Sequence, residues 1–407
     1  MKCRHCASEL RCDFLDLGFA PPSNAYLTKD ALSKPEVYFP LRLKVCEECW
    51  LVQTEDYASA ETFFSSDYAY FSSASRSWLD HASRYTDMIT KRLGLSNESM
   101  VIEVASNDGY LLRNFVAAGI PCLGIEPTDS TAEAAEAQGI PVLRKFFGEE
   151  LAKSLVSEGR TADLILGNNV YAHVPDINDF TRGLKAALKS EGTITLEFPH
   201  LMELIEHNQF DTVYHEHFSY LSLFTVQRIF EQAGLRVFDV EQLTTHGGSL
   251  RIYGCHDTDQ RPTLESVQQI IDEEAARGLR AKTVYAGFQQ KAEAVKNDVL
   301  RFLLQAKQDG KTVGAYGAAA KGNTLLNFAG VKPDLLPFVC DAATAKQNKY
   351  LPGSHIPVVH PDAMKERKPD YVVILPWNIA GEVTEQLSYL TKEGSRFVTA
   401  VPTLYIS

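Results

Sequence analysis

Between Phe210 and Tyr220 the chain reads FDTVYHEHFSY, with Asp211, Tyr214, His215, Glu216, His217 and Tyr220 crowded together. Ionisable side chains at that density are costly in a folded chain unless they are solvated or used. Three chemistries suit them. A metal could be held by His215, Glu216 and His217, but neighbouring residues on a strand diverge, and the i, i+4 spacing of a helical zinc site is missing. A solvated loop is the second. The third is an acid/base cluster that takes a proton from carbon, because imidazole and phenol transfer protons near neutral pH. The segment follows an apolar strand, Gly192–Glu197, so it lies beyond the carboxyl end of a sheet, where α/β folds bind ligands. That position favours the third. His173, after Asn168-Asn169-Val170-Tyr171-Ala172, ends a neighbouring strand and is expected to converge on the same cavity.

A second constellation opens at Glu103. The strand Met100–Val104 runs into Ala105-Ser106-Asn107-Asp108-Gly109 and then a helix, and the next strand ends in Glu126. A nucleotide loop belongs there, and an acid about twenty residues on can accept both ribose hydroxyls. Two cofactors fit, a dinucleotide and S-adenosylmethionine. Glu103 and Asp108 would repel a pyrophosphate and suit an ammonium and a sulfonium, which favours the second. Asn168 and Asn169, ending the fourth strand, stand where donor contacts also fall.

Two further motifs hold ions. Cys3-x2-Cys6 and Cys46-x2-Cys49 are two knuckles well separated along the chain. Together they offer four thiolates to one tetrahedral zinc. With four cysteines such a site is closed and structural. His5, between the first two, is expected to be exposed. Gly314-Ala315-Tyr316-Gly317-Ala318-Ala319-Ala320-Lys321 links a strand to a helix, and small residues there let backbone N–H groups and Lys321 approach a phosphate. It lacks the P-loop register. His246-Gly247-Gly248-Ser249 is a second glycine-rich loop that could face the same ligand.

These residues need elements to position them. Residues 1–70 read as a small β-rich module, broken by Pro21, Pro22, Pro35 and Pro40 and too thin in apolar residues to stand without a staple. Residues 71–243 alternate strand and helix signals, which implies a parallel sheet covered on both faces. A charged amphipathic stretch over 262–308, read as two helices, precedes a second α/β domain, so the third unit spans 244–407. The 407 residues carry 40 Lys+Arg against 52 Asp+Glu, a formal charge of −12. This argues against a nucleic-acid or anionic-membrane partner. No stretch is long and apolar enough for a membrane span, and the opening MKCRHCASEL is too polar for a secretory leader. A cytoplasmic location is expected.

Taken in order, the paired CxxC motifs, EVASNDGYLL, IEPT, NNVYAHVPD, FDTVYHEHFSYLS, THGGSLR and YGAAAKGNTLLN resemble the sugar C-methyltransferases, typified by the C-3′-methyltransferases of deoxysugar biosynthesis, over the whole chain. The resemblance implies an α/β fold: a zinc-binding N-terminal domain, a central class I S-adenosylmethionine-dependent methyltransferase domain and a C-terminal Rossmann-like domain that binds a sugar nucleotide. It implies a nucleotide-linked 4-keto sugar, dTDP-type, methylated next to the ketone, most simply at C3. It implies that His217 is the base, that Tyr214 and Glu216 orient the sugar or move protons, that His173 and Tyr70 reach the site, and that Ser249, Lys321 and Asn323 lie near the nucleotide. The rival is an NAD-dependent sugar-nucleotide oxidoreductase or epimerase, against which the acidic loop weighs.

Overall fold

The structure, a computed structural model, describes residues 1–55, 57 and 71–407. Tyr70 lies outside the described residues. Three sheets organise the described residues. The first begins with β1 (Cys12–Ala20), β2 (Phe39–Val45) and β3 (Val52–Thr54), antiparallel neighbours in that order. Alternation in β2, with Leu41, Leu43 and Val45 buried, turns one face inward.

The central unit starts with the helix Arg76–Leu93. Ser75 caps it by accepting from the Trp78 N–H at 3.3 Å, which satisfies one of the orphan donors of the first turn. Gly94 ends it at φ 62°, a left-handed turn that glycine adopts without a Cβ penalty. Trp78, Ala82, Tyr85, Thr86 and Ile89 form its buried stripe, at helical spacing. Next come β4 (Val101–Val104), β5 (Cys122–Ile125), β6 (Val142–Leu143), β7 (Ala162–Asn168) and β8 (Leu188–Pro199), all parallel. β4 is buried along its whole length, as expected of a strand covered on both faces.

After β8 the chain departs from simple alternation. β9 (Ser219–Tyr220) leaves the central unit and pairs with β3, so that residues shortly after His217 complete the first sheet. β10 (Leu235–Leu243) and β11 (Ser249–His256) return to the central sheet, whose order is β10-β11-β8-β7-β4-β5-β6. β11 inserts antiparallel between β8 and β10. A seven-stranded sheet with its last strand reversed and inserted in this way is the class I methyltransferase arrangement.

The stretch over 262–308 forms three helices rather than two: Glu265–Ala276, Lys282–Tyr285 and Phe288–Gln308. Gly278 and Gly287 fall in the breaks between them. The third sheet orders β14 (Val358–Val359), β13 (Val339–Cys340), β12 (Val313–Tyr316), β15 (Tyr371–Ile374), β16 (Arg396–Thr399) and β17 (Tyr405–Ile406). In this sheet only β17 is antiparallel to its neighbour.

The N-terminal module has more than its cysteines to hold it. Phe14 of β1 packs its ring 5.3 Å from Tyr285 and 4.8 Å from Phe288, inside one hydrophobic cluster shared with the third unit. The helix Phe288–Gln308 thus joins the N-terminal module and the third sheet in one core.

Candidate active site

The loop after β4 makes three left-handed turns in quick succession, at Ala105 (φ 57°), Asn107 (φ 50°) and Gly109 (φ 77°). It is braced rather than loose. Glu126, at the end of β5, accepts from the Asn107 N–H at 2.9 Å and the Thr128 N–H at 3.0 Å, so both its oxygens fix loop geometry. Asn107 and Asp108 accept from the backbone N–H groups of Ser72 and Ser73 at 2.9 and 3.1 Å, which brings the start of the first helix over the loop. At Gly109 an added Cβ would come within 2.3 Å of Ile140 Cδ1, so this glycine serves helix–sheet packing.

Other polar atoms here are unanswered. Glu103 is fully buried, and among the described residues neither of its carboxylate oxygens has a hydrogen-bond partner; the same holds for Ser106 Oγ and Asp108 Oδ1. Burial first, then the charges of Asp108 and Glu126, raise the Glu103 carboxyl well above its ordinary range, since both effects disfavour the charged form. A native chain rarely leaves such groups orphaned without a use for them.

The second cluster forms where a short turn, Tyr171–His173, meets the segment after Phe210. The His217 ring lies 4.0 Å from that of Tyr214 and 4.6 Å from that of His173, centroid to centroid. Each histidine places Nδ1 against a backbone carbonyl: His217 on Thr212 O at 3.0 Å, His173 on Glu216 O at 2.8 Å. A carbonyl oxygen only accepts, so each Nδ1 carries the proton and each Nε2 the lone pair. Burial drops His173 to about 4. Burial, then His173, His246 and Lys321, hold His217 well below its ordinary value. Both imidazoles are neutral at neutral pH, the form a base requires. Glu216 is also buried and raised by burial; Oε1 accepts from Asn24 Nδ2 at 3.2 Å, and Oε2 has no partner among the described residues. His215 turns the other way, toward Phe39 O at 3.3 Å. The HEH triplet therefore does not converge on a metal.

Between these clusters lies a group that the sequence reading missed. Glu197, at the end of β8, is buried and takes Arg251 Nη2 at 2.8 Å, His81 Nε2 at 2.9 Å and Thr245 Oγ1 at 2.8 Å. Burial pushes its carboxyl up, but His81 and Arg251 outweigh that and hold it below the usual carboxylate value. Trp78 stacks on His81 at 4.9 Å and meets His246 edge-on at 5.0 Å. Arg251 and His81 are 54 and 116 positions from Glu197, so no local pattern marks them.

On the third unit's side, the glycine-rich loop is not an open phosphate cradle. The Ala318 N–H donates to Asp341 Oδ2 at 2.7 Å, and the Gly317 N–H to Cys340 O at 2.7 Å. Lys321 instead points its Nζ at Asn378 Oδ1, 2.6 Å away, 4.5 Å from the Trp377 ring centre. Asn323 is buried and donates to Ser23 O at 2.7 Å. Ser249 is buried and donates to Thr245 O at 3.0 Å, closing its own loop.

In the N-terminal module, the four sulfurs of Cys3, Cys6, Cys46 and Cys49 all lie within 4.8 Å of one another, with Cys3–Cys49 and Cys6–Cys46 at 3.5 Å. That is too long for a disulfide and close to the roughly 3.8 Å between sulfurs around a tetrahedral zinc. Gln53 donates to Cys3 Sγ at 3.2 Å, orienting the ligand from outside. His5 is not exposed, as its position between the ligands had suggested. It is buried, and its Nδ1 bonds Asn178 Oδ1 at 2.8 Å on the helix Ile177–Ala187, docking the first knuckle onto the central unit.

The chain is 32% identical over 401 residues to the C-methyltransferase NovU of Streptomyces niveus, covering 98% of this chain and 95% of that protein. The chain belongs to the C-methyltransferase family. Its residues 3–64 match the family described as "Putative zinc binding domain", 78–240 a methyltransferase domain and 244–402 a C-methyltransferase C-terminal domain. Among solved structures, an S-adenosylmethionine-dependent methyltransferase from Clostridium acetobutylicum aligns at 10% identity over 44% of this chain and 92% of its own, with a TM-score of 0.35. The glycopeptide N-methyltransferase MtfA aligns at 12% identity over 43% and 93%, with a TM-score of 0.34.

This C-methyltransferase uses S-adenosylmethionine, and its residues suit that donor: the orphaned Glu103, Ser106 and Asp108 oxygens are acceptors awaiting ammonium and hydroxyl donors. The four-cysteine cage suits one structural zinc. No helix among the described residues is long and apolar enough to cross a membrane.

Proposed function

We propose that this C-methyltransferase alkylates the carbon next to the ketone of a nucleotide-linked 4-keto deoxysugar, dTDP-type and at C3. The observation that supports this most directly is the contact of Tyr214, His217 and His173, with both imidazoles neutral and each Nε2 holding a lone pair. S-adenosylmethionine, when bound, supplies an electrophilic methyl group.

The chain's own residues do the rest. Glu103, Ser106, Asn107, Asp108 and Gly109, with Glu126, Asn168 and Asn169, hold the donor. His217 Nε2 takes the carbon proton, and its pair of electrons passes through the new C–C double bond onto the carbonyl oxygen. Tyr214 and Glu216 orient the sugar. His173 packs against the base and keeps it uncharged. Lys321, Asn323 and Ser249 form the sugar-nucleotide side, with Ser249 acting through its loop. Positioning the deprotonated carbon about 3 Å from the methyl supplies much of the rate. The division into 1–70, 71–243 and 244–407 assigns metal, donor and acceptor to successive stretches of chain, with β11 of the last stretch completing the central sheet and the reaction at their junction. The unanswered Glu103 carboxyl, which a pyrophosphate would meet, weighs against a nicotinamide reading.

The test is incubation of the protein with S-adenosylmethionine and a panel of 4-keto nucleotide sugars. A product heavier by one CH2 unit, with the new carbon on C3 by NMR, is expected. Methyl transfer to oxygen or nitrogen would overturn the proposal.

A further inference from the structure

His246 belongs to the hairpin between β10 and β11. Its backbone sits at φ 54°, followed by Gly247 at 92° and Gly248 at 115°. A non-glycine residue held there stores strain, which persists only where the surroundings impose it. Its Nε2 lies 3.0 Å from Asn169 Nδ2. Asn169 is itself at φ 56°, with a buried Oδ1 that has no partner among the described residues. Two strained residues, one of them unsatisfied, make a poor purely structural contact.

The loop also reaches the third unit. A Cβ on Gly247 would come within 2.4 Å of the Trp377 ring and 2.9 Å of Gln209 Nε2, so the backbone after His246 packs against that indole. Lys321 Nζ is 4.5 Å from the same ring centre, and Trp377 Nε1 donates to Asp211 Oδ2 at 2.8 Å. Gly247, next to His246 in the chain, and Lys321 thus flank Trp377, next to the segment carrying His217. Of the acids nearby, Glu197 is held by Arg251, His81 and Thr245, while Asp211 gives one oxygen to Trp377, keeps the other without a partner among the described residues, and favours the charged form of Lys321. Burial and then Lys321 lower His246 to about 4, against a smaller opposing pull from Glu197, and His246 and Lys321 both depress His217.

We propose that His246 touches the substrate and, with Lys321, lines the wall that receives the carbonyl oxygen as it turns negative. The step balances: the C–H bond breaks, the proton goes to His217 Nε2, the pair forms the C–C double bond, and the carbonyl π pair moves to oxygen facing His246. A phosphate oxygen of the nucleotide has the same charge chemistry, and the experiment separates the two. The inference rests on the ketone reading above.

The full-length protein, loaded with S-adenosylhomocysteine so that no methyl can transfer, is incubated in D2O with a dTDP-linked 4-keto-6-deoxy sugar. Deuterium entering beside the ketone is followed by mass spectrometry. Removing an oxyanion donor costs about 10²–10³ in rate, so His246→Ala is expected to slow exchange by that factor at saturating S-adenosylhomocysteine, with KM for the sugar unchanged. His246→Gln, which restores a neutral donor, should recover part of it and carries the test if the alanine variant fails to fold. Exchange at the parental rate in both variants overturns the assignment. A raised KM with an unchanged maximal rate overturns it in favour of phosphate contact. If the parent itself does not exchange, the ketone reading falls and takes the inference with it.

Discussion

Replacing Glu103 with glutamine should move two measurements in opposite directions. The carboxyl is fully buried without a partner among the described residues and faces Asp108 and Glu126. Without ligand it opposes folding, and the sign follows from linkage. Its folded pKa is raised, so the native state binds more protons than the unfolded state above the ordinary value of 4.5. The stability present below that value is therefore lost as pH rises, with a limiting slope of about 1.4 kcal/mol per pH unit. Glutamine does not titrate, so the variant should be the more stable apo-protein, by a margin that grows from about pH 5 upward before levelling off. Donor binding should suffer instead. A hydrogen bond to a charged group contributes about 1.5–3 kcal/mol, roughly 10–150-fold in Kd. Urea denaturation of the apo-protein across pH gives the first quantity and calorimetric titration with S-adenosylhomocysteine the second. A variant that is less stable at every pH and binds the ligand as the parent does would refute the reasoning, because Glu103 would then be part of the scaffold.

His217→Ala should leave donor affinity intact and cut deuterium exchange beside the ketone by about 10²–10⁴-fold, the usual contribution of a positioned base; unchanged exchange removes His217 from that role. Purified protein should contain one zinc per chain, and Cys46→Ser should lose it and melt at lower temperature; a native protein free of metal, or a variant that retains both metal and melting point, would contradict the cage. Stability of the apo-protein should fall as pH drops from 6.5 toward 4, because His173, depressed to about 4 in the folded chain, must take up a proton on unfolding. His217 and His246 are depressed in the same way and add to the slope, so His173→Gln should lessen it without abolishing it, measured by denaturation midpoints, and an unaltered pH profile would show that the ring is not among the groups responsible.

Much of this was legible because it is local. A strand running into Ala105–Gly109, a cysteine pair closely spaced, and a dense run of ionisable groups from Asp211 to Tyr220 all signal through neighbours in sequence. The second CxxC needed only the first for its meaning. What escaped depends on distant pairing. Nothing in Ser219-Tyr220 announces that it will leave one sheet for another, since so short a strand has no period of its own. The reversed β11 reads like any apolar run. Arg251 and His81 carry no mark that Glu197 will need both. His5 looked like an exposed residue between ligands because its partner, Asn178, lies 173 positions away. The loop at Gly317–Lys321 had the composition of an anion cradle, but Asp341 arrives from the next strand and takes one of its donors.

The pairing of β9 with β3 reaches further than topology. Val52 and Gln53 follow closely on the second knuckle, and their partners Tyr220 and Ser219 follow as closely on His217. The metal cage and the His217 imidazole are therefore tied through a short ladder. An engineer exchanging the first module for that of a relative would be retuning the surroundings of His217 as well, and trimming it away would leave the central unit with a bare strand edge and the long helix Phe288–Gln308 with an uncovered greasy flank. Grafts between members of this family should be made at whole-chain level, or carry both sides of that seam.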